Sequence, residues 1–164
     1  VASALRDATH VGFADGLLEP SLALRQALAA AIRRHRPEVV ISIHYGDRWP
    51  GGLNHADHRA TGIALLDAAR DAANRWLFPD AGPPWAGVRL ALFGGSPHAT
   101  HAVDVTDHPA AGIRSLEAHR TYLDALPKGT LGTDPASFLG GMAAAVGEPL
   151  GVVAAVSFEL IPLA

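Results

Sequence analysis

The sequence predicts an α/β layered fold, three layers deep, with helices on both faces of a largely parallel sheet. Three observations carry that prediction. Segments of helical period alternate along the chain with short β-branched runs. The run over 38–44 is almost continuously apolar through its middle, as expected of a strand covered on both faces of a parallel sheet. Gly and Pro cluster between the periodic segments, over 45–54 and 80–85, where the chain must turn.

The elements follow in order. An extended stretch over 9–13 runs into the turn signal Asp15-Gly16. Pro20 and Ser21 open a helix, with Ser21 as N-cap and Leu24, Leu28 and Ile32 recurring on one face, and Pro37 ends it. The strand over 38–44 comes next, then a loop over 45–54. A second helix spans 56–76, its apolar face including Ile63, Leu66 and Ala69. Strands over 88–93 and 102–105 precede a helix over 109–126, a Gly/Pro-punctuated linker, a helix over 135–146 and a closing strand over 152–161. The cluster Arg33-Arg34-His35-Arg36 falls in the last turn of the first helix, where cations complement the helix dipole. No repeat is visible and the linkers are too short to separate independent cores, so 1–164 reads as one domain.

Composition narrows the function. The apolar fraction is 49% while aromatics are only 6%, so the core must be built from Ala, Leu and Val. Net charge is −3 with His neutral, and the one basic block gives little electrostatic footing for nucleic acid. No apolar run reaches the ~18 residues of a membrane span, and the first residues lack a charged-then-apolar signal pattern; a soluble, cytoplasmic protein is expected. There is no Cys, so any metal must rest on His and carboxylate ligands.

The chemistry concentrates in His55-Ala56-Asp57-His58, at the start of the second helix. Residues three apart share a helix face, so His55 and His58 can aim at one point, with Asp57 free to orient a ring nitrogen or receive a proton. Imidazole serves as a neutral metal ligand or as an acid–base group. The same tetrapeptide also fits a solvated helix start, with Asp57 favourable against the dipole; the residues alone leave both readings open.

The ordered motifs resemble one family. His55-Ala56-Asp57-His58 resembles the H-P-D-H element of the PIG-L/LmbE-like N-acetylglucosaminyl deacetylases, with Ala56 in place of proline. Gly12-Phe13-Ala14-Asp15-Gly16 resembles the family's G-x-x-D-G turn, Val39-Val40-Ile41-Ser42-Ile43 the strand feeding the histidine loop, and Glu117-Ala118-His119-Arg120 the late A-H-R element. Val156-Ser157-Phe158-Glu159-Leu160 resembles the closing strand. The family's A-H-P-D-D segment has no counterpart in this sequence, and Val1-Ala2-Ser3-Ala4-Leu5-Arg6 resembles the end of the helix that precedes the G-x-x-D-G turn. The chain is therefore expected to be an N-terminally incomplete domain of LmbE-like, Rossmann-type architecture that lacks its first strand.

The resemblance implies a zinc-dependent hydrolase that removes N-acetyl groups from a glucosamine-containing conjugate. It makes His58 the metal ligand, His55 and Asp57 catalytic, and Asp15 substrate-binding, where the residues alone also allow a simple turn role; Tyr45, at the end of the strand and the start of the loop, is read as a substrate-binding donor to a carbonyl oxygen, with edge packing as its alternative. With most ligands of the zinc missing, the chain is expected to be inactive by itself, and to self-associate or pair with a segment carrying the missing motif. The rival is a non-catalytic carbohydrate-binding or scaffold domain that has lost the metal centre. A nucleotide-binding domain is disfavoured, because neither a GxGxxG nor a P-loop is present. His98 and His101 are expected to be non-ligands, Asp104 a strand-end cap, and His119 a buried structural histidine on a helix.

Overall fold

Ser21 caps the first helix, α1 (Leu22–His35), its hydroxyl accepting from the Leu24 N–H at 3.2 Å. Arg36 closes the helix in the left-handed region at φ 51°, its N–H reaching the Ile32 carbonyl, and Pro37 prevents continuation. In this computed structural model, residues 10–49, 52–127, 129–130 and 132–163 are described. After α1 come β1 (Val39–Ile43), β2 (Arg48–Trp49), β3 (Gly52–Leu53), α2 (Ala56–Ala73), β4 (Leu90–Gly94) and β5 (His101–Asp104). Helices α3 (Pro109–Glu117), α4 (Arg120–Ala125) and α5 (Pro135–Gly147) lead to β6 (Ala155–Pro162). The helix end expected over 1–6, and Thr9 at the start of the expected extended stretch, lie outside the described residues. Where the sequence reads as one domain, the contacts group the chain into two compact units, one of residues 10–101 with 158–163, the other Ala102–Ser157.

The first unit is α/β, with a mixed sheet. β1 runs parallel to β4, placing Val40 opposite Ala91 and Ser42 opposite Phe93. The connection between them carries α2, the crossover that a parallel pair requires. β6 lies antiparallel on the other side of β4, with Ile161 opposite Ala91 and Glu159 opposite Phe93. The sheet is thus less parallel than alternation of elements predicts, because the last strand enters from the opposite end. β1 is also covered on one face only. Val40 is buried against α1 and α2, whereas Ile41 is 64% exposed.

The core is made of small side chains, as composition predicts. Ala29 of α1, Ala64, Ala68 and Ala72 of α2, and Ala91 of β4 are fully buried, which lets the two helices and the sheet approach closely. The buried stripe of α2 runs through Ala64, Leu65, Ala68, Ala69 and Ala72; Ile63, expected on it, is displaced to the exposed side.

Arg33 locks the far end of this helix pair. It is buried, and its guanidinium donates to the carbonyls of Asp71, Ala72, Asn74, Leu77, Phe78 and Gly82 at 2.6–3.3 Å. Those carbonyls include the last ones of α2, which have no partner inside their own helix. Arg33 therefore serves the C-terminus of α2 rather than that of its own helix, and Arg36 lies over the Trp85 ring at 4.5 Å. Beside them Arg25 makes two hydrogen bonds to the buried carboxylate of Asp71, at 2.9 and 3.0 Å.

In the second unit the helix predicted over 109–126 is interrupted. The chain turns at Ala118 and His119, whose amides reach the Arg114 and Leu116 carbonyls, so α3 and α4 are separate. α5 begins on Asp134, whose carboxylate accepts from the Ser137 hydroxyl at 2.7 Å and the Ser137 amide at 3.3 Å, lowering its pKa, with Pro135 in the first turn. β5 is continued by the Val105 N–H, which donates to the Ala154 carbonyl just before β6.

Two stability predictions follow from the first unit. Replacing Arg33 with Met keeps the aliphatic stem but removes its hydrogen bonds, leaving the Leu77 and Gly82 carbonyls without a donor among the described residues while those of Asp71, Ala72, Asn74 and Phe78 each keep a backbone N–H; a loss of about 1–3 kcal/mol in urea denaturation is expected, and Arg33→Lys, lacking the planar fork, recovers only part of it. Gly62→Ala in α2 would be favoured by about 1 kcal/mol from helix propensity alone. A Cβ there would lie 2.3 Å from the Cβ of Tyr45, an atom that cannot move without its backbone. Net destabilisation of about 1–3 kcal/mol is expected, and a raised melting temperature would refute the close packing.

Candidate functional site

The carboxyl end of β1 delivers His44 and Tyr45 into a loop that the sequence reads only as Gly- and Pro-rich. Within it β2 and β3 form a small antiparallel ribbon, with Arg48 opposite Leu53 and Trp49 opposite Gly52. The Asn54 N–H donates to the Asp47 carbonyl at 2.8 Å, so the chain arrives at α2 in a fixed direction.

Asn54 is 3% exposed and its amide is fully used. Nδ2 donates to the carbonyls of His44 and Gly46, both at 2.9 Å. Oδ1 lies 2.9 Å from the His55 N–H and 3.0 Å from Nδ1 of His58. His55 is the N-cap of α2, its Nδ1 accepting from the Asp57 N–H at 3.2 Å, a role usually taken by Ser, Thr, Asp or Asn. The two rings stand 5.5 Å apart, at one end of the helix, with His55 exposed and His58 half-buried. Neither Nε2 makes a hydrogen bond among the described residues.

Trp49 packs behind this pair, 6.4 Å from the His58 ring and 6.3 Å from that of His44. Gly95 makes room for it: φ is 73°, and a Cβ would lie 2.9 Å from the indole. His44 is buried, with Nε2 3.1 Å from the Arg48 carbonyl, and its Nδ1 has no hydrogen-bond partner among the described residues.

Asp57 does not orient an imidazole through its carboxylate. It is buried, and its two oxygens accept from the Gly16 and Leu18 amides at 2.7 and 3.1 Å. The Asp15-Gly16 turn, in which Gly16 takes φ 80°, is thereby tied to the first turn of α2. Asp57 touches His55 only through its backbone. Asp15 itself is exposed beside this anchor, so Asp15, His55, Asp57 and His58 are gathered at one end of α2. Tyr45 lies deeper, its ring 4.6 Å from Phe93 and against Gly62; burial, and then the charge of Glu159, raise its pKa above 10.0 and keep the hydroxyl protonated.

His98 and His101 are exposed, with Nδ1 of His101 near the Thr100 hydroxyl, and the neighbouring Ser96 hydroxyl donates to Glu159 at 2.6 Å. His119, expected buried on a helix, is exposed at the break before α4, its Nδ1 3.1 Å from the Ser115 carbonyl. Asp104 ends β5 as expected, accepting from the Thr106 N–H. Asn54, Trp49 and His44 were not singled out from the sequence. The only hint was Asn54 immediately before a helix-opening histidine.

A catalytic zinc takes about three protein ligands. Among the described residues no group of three or more His, Asp or Glu side chains is placed to hold a metal ion. His58 fits such a group as a single donor, since one ring nitrogen is hydrogen-bonded and the other is unengaged. No helix among the described residues is long and apolar enough to cross a membrane.

Residues 1–69 match the family model of the PIG-L, or GlcNAc-PI, de-N-acetylases. No curated protein matches the chain. Among solved structures it is similar to the N,N'-diacetylchitobiose deacetylase of Pyrococcus horikoshii in complex with an inhibitor, with TM-score 0.72 and 21% identity over 92% of this chain and 55% of that one. It is similar to the conserved protein TT1542 of Thermus thermophilus, with TM-score 0.69 and 28% identity over 90% and 62%. The hydratase GalB of Pseudomonas putida, acting on 4-carboxy-2-hydroxymuconate, shares the fold at TM-score 0.57 and 16% identity, over 86% and 59%. The chain thus spans between half and two thirds of the length of each. Over residues 1–69 the sequence matches the PIG-L family model, and over nine-tenths of its length the fold is similar to those of the deacetylase and of TT1542.

Proposed function

We propose that this chain carries the histidine half of a zinc-dependent site that hydrolyses the N-acetyl group of a glucosamine-containing conjugate. The observation that carries the reading is the pair His55 and His58 at the start of α2, 5.5 Å apart, each with one ring nitrogen engaged by the protein and the other unengaged. The match of residues 1–69 to a family of de-N-acetylases, and the fold shared with a chitobiose deacetylase, support the substrate class.

His58 would hold the metal, with further ligands drawn from outside the described residues. Bound zinc would supply a water whose pKa falls toward ~7. Hydrolysis adds that water to the acetamide carbonyl, breaks the C–N bond and releases acetate and a free amine. His55 is placed as a hydrogen-bond donor to the carbonyl oxygen as charge develops there, an interaction worth ~100–1,000-fold in rate. Its capping bond requires a lone pair on Nδ1, so it donates from Nε2 as a neutral imidazole while the cap is intact. Asp57 is a positioning residue that holds the Asp15-Gly16 turn beside the pair, leaving Asp15 exposed for sugar hydroxyls. Tyr45, a protonated phenol at the base of the loop, is the second substrate contact.

With one prepared imidazole ligand the 164-residue chain should bind zinc feebly and release no amine from N-acetylglucosamine derivatives. Calorimetric titration should show weak zinc binding that His58→Ala abolishes and His55→Ala retains. Fluorescamine detection should show amine release only when a peptide carrying a His-Pro-Asp-Asp motif is supplied with zinc. Zinc binding that survives His58→Ala would remove that residue from the site. If sugar binds but no peptide restores turnover, the carbohydrate-binding alternative gains the ground. Asp57→Ala should speed hydrogen exchange at the Gly16 and Leu18 amides at least tenfold, matching the ~1–3 kcal/mol of their lost bonds; unchanged exchange would detach Asp57 from the turn.

A further inference from the structure

The hydrogen bonds around Asn54 leave the two histidines little choice of proton position. Nδ2 of Asn54 faces the carbonyls of His44 and Gly46, both at 2.9 Å, and carbonyls accept only. The other end faces the His55 N–H at 2.9 Å, which only donates. Three of the four contacts therefore fix which end of the amide is oxygen. The fourth follows: Nδ1 of His58, 3.0 Å from that oxygen, must be the protonated nitrogen, and its Nε2 carries the lone pair. Three residues earlier, at the N-cap of the same helix, the assignment is reversed. Nδ1 of His55 accepts from the Asp57 N–H, so its proton sits on Nε2.

We propose that Asn54 is a positioning residue, and that it and the α2 N-terminus hold His58 and His55 in opposite neutral tautomers, one presenting an acceptor nitrogen and the other an N–H donor. Two chemically identical side chains are thus differentiated before any ligand arrives. The acceptor suits a metal ion or another electrophile and the donor suits a developing oxyanion. Asn54 lies 3% exposed with all four hydrogen-bonding positions occupied, so the arrangement is built into the fold. The assignment of tautomers stands on geometry alone; its use in catalysis rests on the proposed deacetylase reading.

The test uses the 15N-labelled chain without metal or substrate, at a pH about 1.5 units above the ordinary imidazole pKa of ~6.5. Long-range proton–nitrogen correlation spectra should show His58 protonated at Nδ1 and His55 at Nε2. Asn54→Ala should release His58 toward the Nε2–H form while His55 stays as it was. Asn54→Asp, which keeps an acceptor oxygen for His58 but loses both Nδ2 donors, should preserve the Nδ1–H form; a role confined to tethering the loop through Nδ2 would make the two variants alike. Zinc affinity, followed by the His58 Nε2 resonance, should fall ~10–100-fold in Asn54→Ala. An Nε2–H tautomer at His58 in the unsubstituted protein would overturn the proposal even if the variants fail to fold. Opposite tautomers with no zinc response at His58 would uphold it and sink the metal-ligand assignment instead.

Discussion

The side-chain amide of Asn54 is buried, and it bonds to the end of β1, to the segment leading into β2 and to the first turn of α2. Its donors hold the carbonyls of His44 and Gly46, and its oxygen holds the His55 amide and the His58 ring. A buried network of this kind stabilises only when every member is satisfied, since each orphaned polar group costs about 1–3 kcal/mol. Asn54 meets that condition. The direction of the loop, the start of the helix and the aim of the His58 imidazole are consequently coupled through one residue.

What keeps α2 in register for that arrangement is packing at its other end and along its length. Alanines at Ala64, Ala68 and Ala72 allow close approach to α1 through Ala29, leaving little space that a shifted helix could occupy. Arg33 reaches across from α1 to collect the carbonyls at the end of α2. At the near end Asp57 accepts from the Gly16 and Leu18 amides, joining the turn before α1 to the helix that bears the histidines. The helix is thus tethered at both termini by side-chain hydrogen bonds that span more than 35 residues of sequence.

The fold does not by itself choose a chemistry. A deacetylase and a hydratase both share it with this chain, at 21% and 16% identity. The functional argument therefore rests on the site: two imidazoles three residues apart at the start of one helix, one anchored through Nδ1 as donor and one as acceptor. Such a pair offers both a ligand and a hydrogen-bond donor at one place, which hydrolysis of an amide needs and simple helix capping does not.

Much of this was legible along the chain because it depends on local chemistry. Ser21 as N-cap, Pro37 as terminator, the Asp15-Gly16 turn, the β-branched run of β1 and the helix beginning at Ala56 all follow from preferences within a few residues. The placing of His55 and His58 on one face follows from helical period alone. The partners were not legible, because hydrogen bonds across long loops leave no periodic trace. Nothing local says that Asp57 turns to the Gly16 and Leu18 amides, or that Arg33 caps another helix than its own. The buried stripe of α2 fell one step from the expected Ile63, because alanine carries little pattern yet packs best where backbones meet. Continuous apolarity of β1 likewise predicted two covered faces, but covering depends on what packs there, and Ile41 stands exposed. Residue types and local geometry thus determined the elements and the two histidines; only tertiary structure decided which nitrogen of each ring is engaged, because that is set by Asn54 and the helix terminus acting together in space.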